Sequence, residues 1–156
     1  MGPLISAEAV ISMEKLIEDA LKKGAKLICG GERPSDCLHG YYFEPTILSG
    51  ITREMRVYQE EIFGPILPVI SYRDNDDICA LANDTEYGLA GYLYTNDLDR
   101  AFEVAERMQF GSVCINGPFY AFNLPHGGIK ESGIGKDCSR YSLKEYYETC
   151  RISVKR

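Results

Sequence analysis

A chain of 156 residues, 45% hydrophobic and 26% charged, has the composition of an ordinary globular domain, long enough to bury roughly 70% of its unfolded surface. Its net charge of −6 and the lack of a lysine or arginine cluster argue against nucleic acid and anionic lipid as partners, because both demand positive charge. No apolar run approaches the roughly 20 residues of a membrane span, and no basic-then-apolar start suggests a signal peptide, so the expected location is cytoplasmic.

Residues 6–23, SAEAVISMEKLIEDALKK, repeat apolar side chains at helical spacing: Val10, Met13, Ile17, Ala20 and Leu21. Ser6 caps the start, Glu8 suits the first turn, Lys22 and Lys23 suit the last, and Gly24 stands where a left-handed cap belongs. AKLICGG, 25–31, predicts a short buried strand. GERPSDCLHG, 31–40, is a loop rich in turn formers. YYFEPTILSGI, 41–51, is strand-like, although Pro45 rules out a regular central strand at that point. ILPVISY, 66–72, is a further strand, and DNDDICALAND, 74–84, a short helix with an acidic cap. LAGYLYT, 89–95, predicts a strand. NDLDRAFEVAERM, 96–108, predicts a helix capped by Asn96 or Asp97, with Ala101, Phe102, Ala105 and Met108 on one stripe. GSVCIN, 111–116, is a short apolar strand. A glycine-rich loop runs from Gly117 to Lys136, followed by a short helix in 139–147 and a terminal strand in ETCRISVKR. The alternation from 66 to 116 suggests βαβα units and a mainly parallel sheet.

Cysteines stand at positions 29, 37, 79, 114, 138 and 150, none in a C-x-x-C pair, and the histidines are His39 and His126. Zinc ligands cluster at short spacing, and these do not, so free thiols in a reducing compartment and no metal site are expected. Cys114 lies in an apolar strand, where its thiol would be inert. Cys138 is flanked by Lys136 and Arg140, which favour a thiolate, but no histidine lies close in sequence to serve as its base.

Three stretches bear on chemistry. HGGIKESGIGKD, 126–137, matches neither the G-x-G-x-x-G fingerprint nor a Walker loop. It is either a tight loop needing positive φ or a loop that approaches a ligand. Glu60 and Glu61, in QEEIFGPILPVISY, are an acidic pair running into a turn. A carboxylate can accept two hydrogen bonds from a ribose diol or act as a base; an exposed pair beside a turn is the plainest reading. Phe119, Tyr120 and Phe122, in NGPFYAFNLP, either line an apolar pocket at a strand's carboxyl end or cover a core edge.

Taken in order, GPLI at 2–5, GAKLICGG at 24–31, YYFEPTIL at 41–48, EEIFGPILPV at 60–69, ALANDTEYGLAG at 80–91 and PHGGIKESGIGKD at 125–137 resemble the C-terminal portion of an NAD(P)-dependent aldehyde dehydrogenase. The resemblance implies an α/β fold. Residues 1–146 would be part of the catalytic domain, a mainly parallel sheet flanked by helices, and residues 147–156 an oligomerisation strand that makes the chain a homo-oligomer. It implies that Glu61 binds the hydroxyls of the nicotinamide ribose and that Phe63 contacts the nicotinamide region, with NAD or NADP as cofactor. It implies that Phe119, Tyr120, Phe122 and His126 belong to the wall of the aldehyde channel. His126 before the double glycine is more like the branch acting on aminoaldehydes or small semialdehydes.

Family members of this kind run to roughly three times this length, as a cofactor domain plus a catalytic domain. The family's nucleophilic cysteine, general-base glutamate and dinucleotide-binding domain have no counterpart among these residues. The chain by itself is therefore expected neither to oxidise aldehydes nor to bind the cofactor well. A competing reading is a non-catalytic interaction module that pairs with itself or with full-length subunits through the terminal strand. A third is a nucleotide-binding remnant held through Glu61.

Overall fold

A computed structural model describes residues 1–36 and 39–155, so Cys37 and the tip of its loop lie outside the described residues, as does Arg156. The chain divides into two compact units, Met1–Asp74 and Asn75–Arg156. The architecture is α/β, as expected. Among the described residues no helix is long and apolar enough to cross a membrane.

The first unit is built on α1, Ala7–Lys22. The Ser6 hydroxyl accepts the Ala9 N–H at 3.3 Å, which satisfies one of the orphan donors of the first turn. At the other end Ala25 N–H reaches Ala20 O at 2.9 Å and Gly24 N–H reaches Leu21 O at 3.1 Å, with Gly24 at φ 99°: a Schellman cap. The buried face is Val10, Met13, Leu16, Ile17 and Ala20. Leu16 takes the place expected for Leu21, which is exposed, because it follows Met13 by three residues and so continues the stripe.

Against this helix lies a three-stranded sheet in the order β1 (Lys26–Cys29), β2 (Thr46–Ser49), β3 (Ile66–Val69). β1 and β2 are antiparallel, with a register shift between Leu27 and Cys29; β2 and β3 are parallel. β1 is exposed along its length, not buried as its apolar run predicts, because it is an edge strand with one neighbour. β2 begins only after Pro45, and Pro68 sits on the edge strand β3, where a missing N–H is tolerated. Between β2 and β3 the chain makes α2, Arg56–Gln59, a single turn that the sequence reading lacks. Leu48, Met55, Val57 and Ile66 complete a core with α1.

The second unit contains α3 (Ile78–Asn83), β4 (Tyr87–Gly88), β5 (Ala90–Leu93), α4 (Leu98–Arg107), β6 (Ser112–Ile115) and β7 (Ile129–Lys130). Asp77 caps α3 through the N–H groups of Cys79 and Ala80, and Asp97 caps α4 through that of Arg100. β5 and β6 pair in parallel, as the βαβ alternation predicts; β4 pairs antiparallel with β7, which lies inside the glycine-rich loop. α4 buries Ala101 but leaves Phe102 59% exposed. Phe102 is off the stripe that 101, 104, 105 and 108 trace at helical spacing. The short helix expected in 139–147 is a 3-10 helix, Ser142–Tyr146. Residues 147–155 form no strand within the single chain.

The accessible surface is 11844 Å². Two separate compact bodies of half the mass each would together expose only about 9,500 Å². Large apolar side chains such as Phe63, Phe119, Phe122 and Tyr146 are among the exposed residues.

Candidate functional site

The stretch from Arg56 to Ile66 is laid out by packing. Arg56 N–H donates to Asp19 Oδ2 at 2.9 Å, which fixes α2 to the end of α1. The Arg56 guanidinium grips Glu60 with both arms, Nε to Oε1 at 2.6 Å and Nη2 to Oε2 at 2.8 Å. That bidentate bond, more than the charge alone, holds the Glu60 carboxyl below its usual value. Glu61 has no hydrogen bond or ion pair among the described residues and is exposed. Ile62 turns inward against the core. Phe63 turns out again, 81% exposed, at φ 46°, a conformation that non-glycine residues adopt rarely and that marks positions held for a purpose. Gly64 is close-packed for a different reason: a Cβ there would run into Met13 Sδ, and the Met13 side chain would have to shift. The two carboxylates thus part company. Glu60 is a structural anchor; Glu61 is presented, and Phe63 with it, on a backbone pinned from below.

In the second unit a cavity of about 630 Å³ runs along β5 and β6, from Leu89, Ala90 and Ser112 to the loop that follows Ile115. Its lining includes Tyr92, Cys114, Phe119, Tyr120, Leu124 and His126. Three of the four expected channel residues are therefore brought together. Phe122 is not in the lining; it is 81% exposed and stands edge-on to Tyr120, ring centroids 5.7 Å apart. The rim is set by Asn116, at φ 60°, whose side chain exchanges two hydrogen bonds of 2.9 Å with the Thr95 backbone. Nothing in local sequence pointed to that clamp.

The glycine-rich loop is a folded object. Lys136 Nζ donates to the carbonyls of Gly127 and Gly128 at 2.6 and 3.0 Å. Lys130 Nζ does the same for Asn83 and Thr85, both at 3.0 Å. The Ser132 hydroxyl accepts the Gly88 N–H at 3.0 Å. Gly111 meets Gly127 so closely that a Cβ would collide with the Gly127 carbonyl oxygen. The tight-loop reading is satisfied in full, and both lysines are spent on backbone carbonyls. Lys136 is therefore not aimed at Cys138. The nearby histidine is paired with the residue before that thiol: His126 and Asp137 exchange backbone hydrogen bonds of 3.0 and 2.8 Å, and His126 Nδ1 lies 2.9 Å from Asp137 Oδ1. Cys29, Cys79, Cys114, Cys138 and Cys150 are all free thiols.

These features can be compared with known proteins. The model of the aldehyde dehydrogenase family matches residues 1–152. The chain belongs to the aldehyde dehydrogenase family. It is 44% identical over 148 residues to the 3-sulfolactaldehyde dehydrogenase of Pseudomonas putida, covering 94% of this chain and 30% of that one. It is likewise 44% identical over 149 residues to the NADP+ succinate-semialdehyde dehydrogenase of Escherichia coli K12, covering 95% and 30%. A Mycobacterium tuberculosis aldehyde dehydrogenase solved with NAD+ superposes with a TM-score of 0.88 at 36% identity, over 94% of this chain and 30% of that one. The chain thus spans about 30% of the length of these relatives. The α/β assignment and the kinship to NAD(P)-dependent semialdehyde and aminoaldehyde dehydrogenases stand.

The residues in hand suit a nicotinamide cofactor in one respect. An unpaired, outward carboxylate accepts two hydrogen bonds from a vicinal diol, and an exposed ring beside it offers an apolar face. Glu61 and Phe63 have that chemistry; the described residues supply no phosphate cradle.

Proposed function

We propose that this chain provides the ribose-gripping carboxylate and one wall of the aldehyde channel of an NAD(P)-dependent aldehyde dehydrogenase acting on a small semialdehyde or aminoaldehyde. The observation that carries the reading is the split between Glu60 and Glu61 inside the family-matching stretch: one is consumed by Arg56, the other is left free and is displayed. Glu61 would orient the nicotinamide by accepting hydrogen bonds from its ribose, and Phe63 would flank the ring. When bound, the cofactor supplies the hydride acceptor. Phe119, Tyr120 and His126 would guide the aldehyde and exclude water.

No described thiol is hydrogen-bonded to a histidine or carboxylate that could act as its base. A missing nucleophile costs several powers of ten in rate, so the chain alone is expected to give no NAD(P) reduction with any small aldehyde. The functional test is a chimaera in which these residues replace the matching segment of the E. coli relative. Aldehyde-dependent NADP+ reduction should persist, and Glu61→Gln should raise the cofactor KM about tenfold, the loss of one charge-assisted hydrogen bond. An unchanged KM in the Glu61→Gln chimaera sinks the assignment of that residue.

A second reading, association with itself or with longer subunits, is favoured by the tail. Ile152 and Val154 alternate as strand residues do and are 87% and 83% exposed. Pairing of residues 147–156 with a second copy would cover them. Light scattering should give a dimer or larger, reverting to monomer when residues 147–156 are removed; a monomeric intact chain counts against it.

A further inference from the structure

Cys138 occupies a position where a cysteine is costly. Cys138 and Ser139 both hold left-handed backbone, φ 57° and 54°, which glycine adopts freely and other residues resist. Strain of this kind persists where the surroundings over-determine it. What the strained turn delivers is specific: Cys138 Sγ lies 3.1 Å from Tyr120 Oη, a hydrogen bond whichever group donates.

That bond is one of four ties between the segments 120–126 and 137–139, among them the 2.9 Å contact of His126 Nδ1 with Asp137 Oδ1. The His126–Asp137 backbone pair is another. The last is Ser139 N–H, which donates to the Phe122 carbonyl at 2.8 Å. Two of the others hold backbone and one holds the His126 ring; among the described residues only the thiol hydrogen-bonds the Tyr120 side chain. Tyr120 in turn stands edge-on to His126, ring centroids 5.8 Å apart, and both line the cavity, whereas Cys138 does not.

We propose that Cys138 is a positioning residue for Tyr120, and that through Tyr120 it sets the width of the aldehyde channel. The consequence for substrate rests on the proposed function; the thiol–phenol link does not. The phenol is held above its usual value, first by the hydrogen bond to Cys138, then by the charge of that thiol, by desolvation and by Asp137. The titratable groups around Tyr120 are thus Cys138, Asp137 and His126.

The test is an NMR titration of the chain with ¹³C-labelled tyrosine, with Tyr120→Phe assigning the signal among the 11 tyrosines. In the wild type the Tyr120 signal should titrate above ordinary tyrosine. Cys138→Ser should keep that behaviour by restoring a partner. Cys138→Gly should return Tyr120 to ordinary titration while the thermal midpoint holds or rises, since glycine accepts the left-handed turn. A Tyr120 titration unchanged in Cys138→Gly, or lost equally in Cys138→Ser, overturns the proposal. The channel is read separately, by saturation transfer between propionaldehyde and the Tyr120 ring. Transfer should be present in the wild type and fall at least twofold in Cys138→Gly. No transfer in either protein, with the titration shifted as expected, would remove the channel reading and leave the positioning role standing.

Discussion

The two units of the chain solve the burial problem differently. In the first, Val10, Met13, Leu16, Ile17, Phe43, Leu48, Met55 and Ile66 close into one apolar cluster, which two layers, a helix and a sheet, are sufficient to form. In the second, the buried apolar side chains among the described residues are Cys79 and Ala101. Its order comes from polar ties: Arg107 on Asp77 at 2.9 and 3.0 Å, the Asn116 clamp, and lysines on carbonyls. Its large apolar side chains, Leu89, Tyr92, Phe119, Tyr120 and Phe122, face outward. A parallel pair such as β5–β6 is normally covered on both faces, and a two-stranded sheet is marginal by itself. The first unit has an apolar core of its own, and the second leaves most of its large apolar side chains exposed.

That contrast can be broken by mutation. The largest effect belongs to the first unit. Leu48→Ala empties a fully buried site and should cost about 3 kcal/mol, read as a fall in the denaturation midpoint. Next is Gly64→Ala, which forces a methyl against Met13 Sδ and should cost about 2 kcal/mol. Combining it with Met13→Ala should cost less than the sum, since the two changes share one space. In the second unit the same kind of truncation should do little: Phe119→Ala, at 72% exposure, should stay within about 0.5 kcal/mol. A Phe119→Ala loss comparable to that of Leu48→Ala would mean that the aromatic wall is already packed, and the comparison would fail.

The finest test is acid. Asp19 and Asp77 do parallel work, each accepting backbone N–H groups at a helix start and pairing with a cation. Both carboxyls are held below their usual value, Asp19 chiefly by the Arg56 N–H and Asp77 chiefly by the Ala80 N–H. A folded value below the unfolded one means that this stabilisation is present at neutral pH and is lost as pH falls through the lowered folded value. The second unit, with little apolar burial behind it, should lose its tertiary signals at a higher pH than the first. Asp77→Asn should flatten that dependence in the second unit alone, as followed by resolved NMR signals.

Much of the first unit was legible in sequence. Ser6, Gly24 and the apolar spacing between them fix α1, and Asp97 fixes the start of α4. What escaped has physical causes. α2 is one turn of four residues, too short for any period to show. β1 reads as a buried strand because an apolar run cannot announce that it lies at an edge. β7 hides among glycines, and residues 147–155, expected as a strand, form none in the single chain. Of the site, Glu61 and Phe63 could be singled out only by resemblance, since physics alone sees an exposed acidic pair before a turn. The division between Glu60 and Glu61 needed Arg56 in three dimensions. The Tyr120–Cys138 bond joins residues 18 apart, with no spacing rule to reveal it.

The most direct test of the contrast is amide hydrogen exchange of the intact chain, resolved by residue. Exchange free energies in one protein span the range from near zero to the global stability. The expected result is strong protection across α1, β2 and β3, with the amides of β5 and β6 exchanging orders of magnitude faster. Equal protection in both units would contradict the division into a finished core and an uncovered wall.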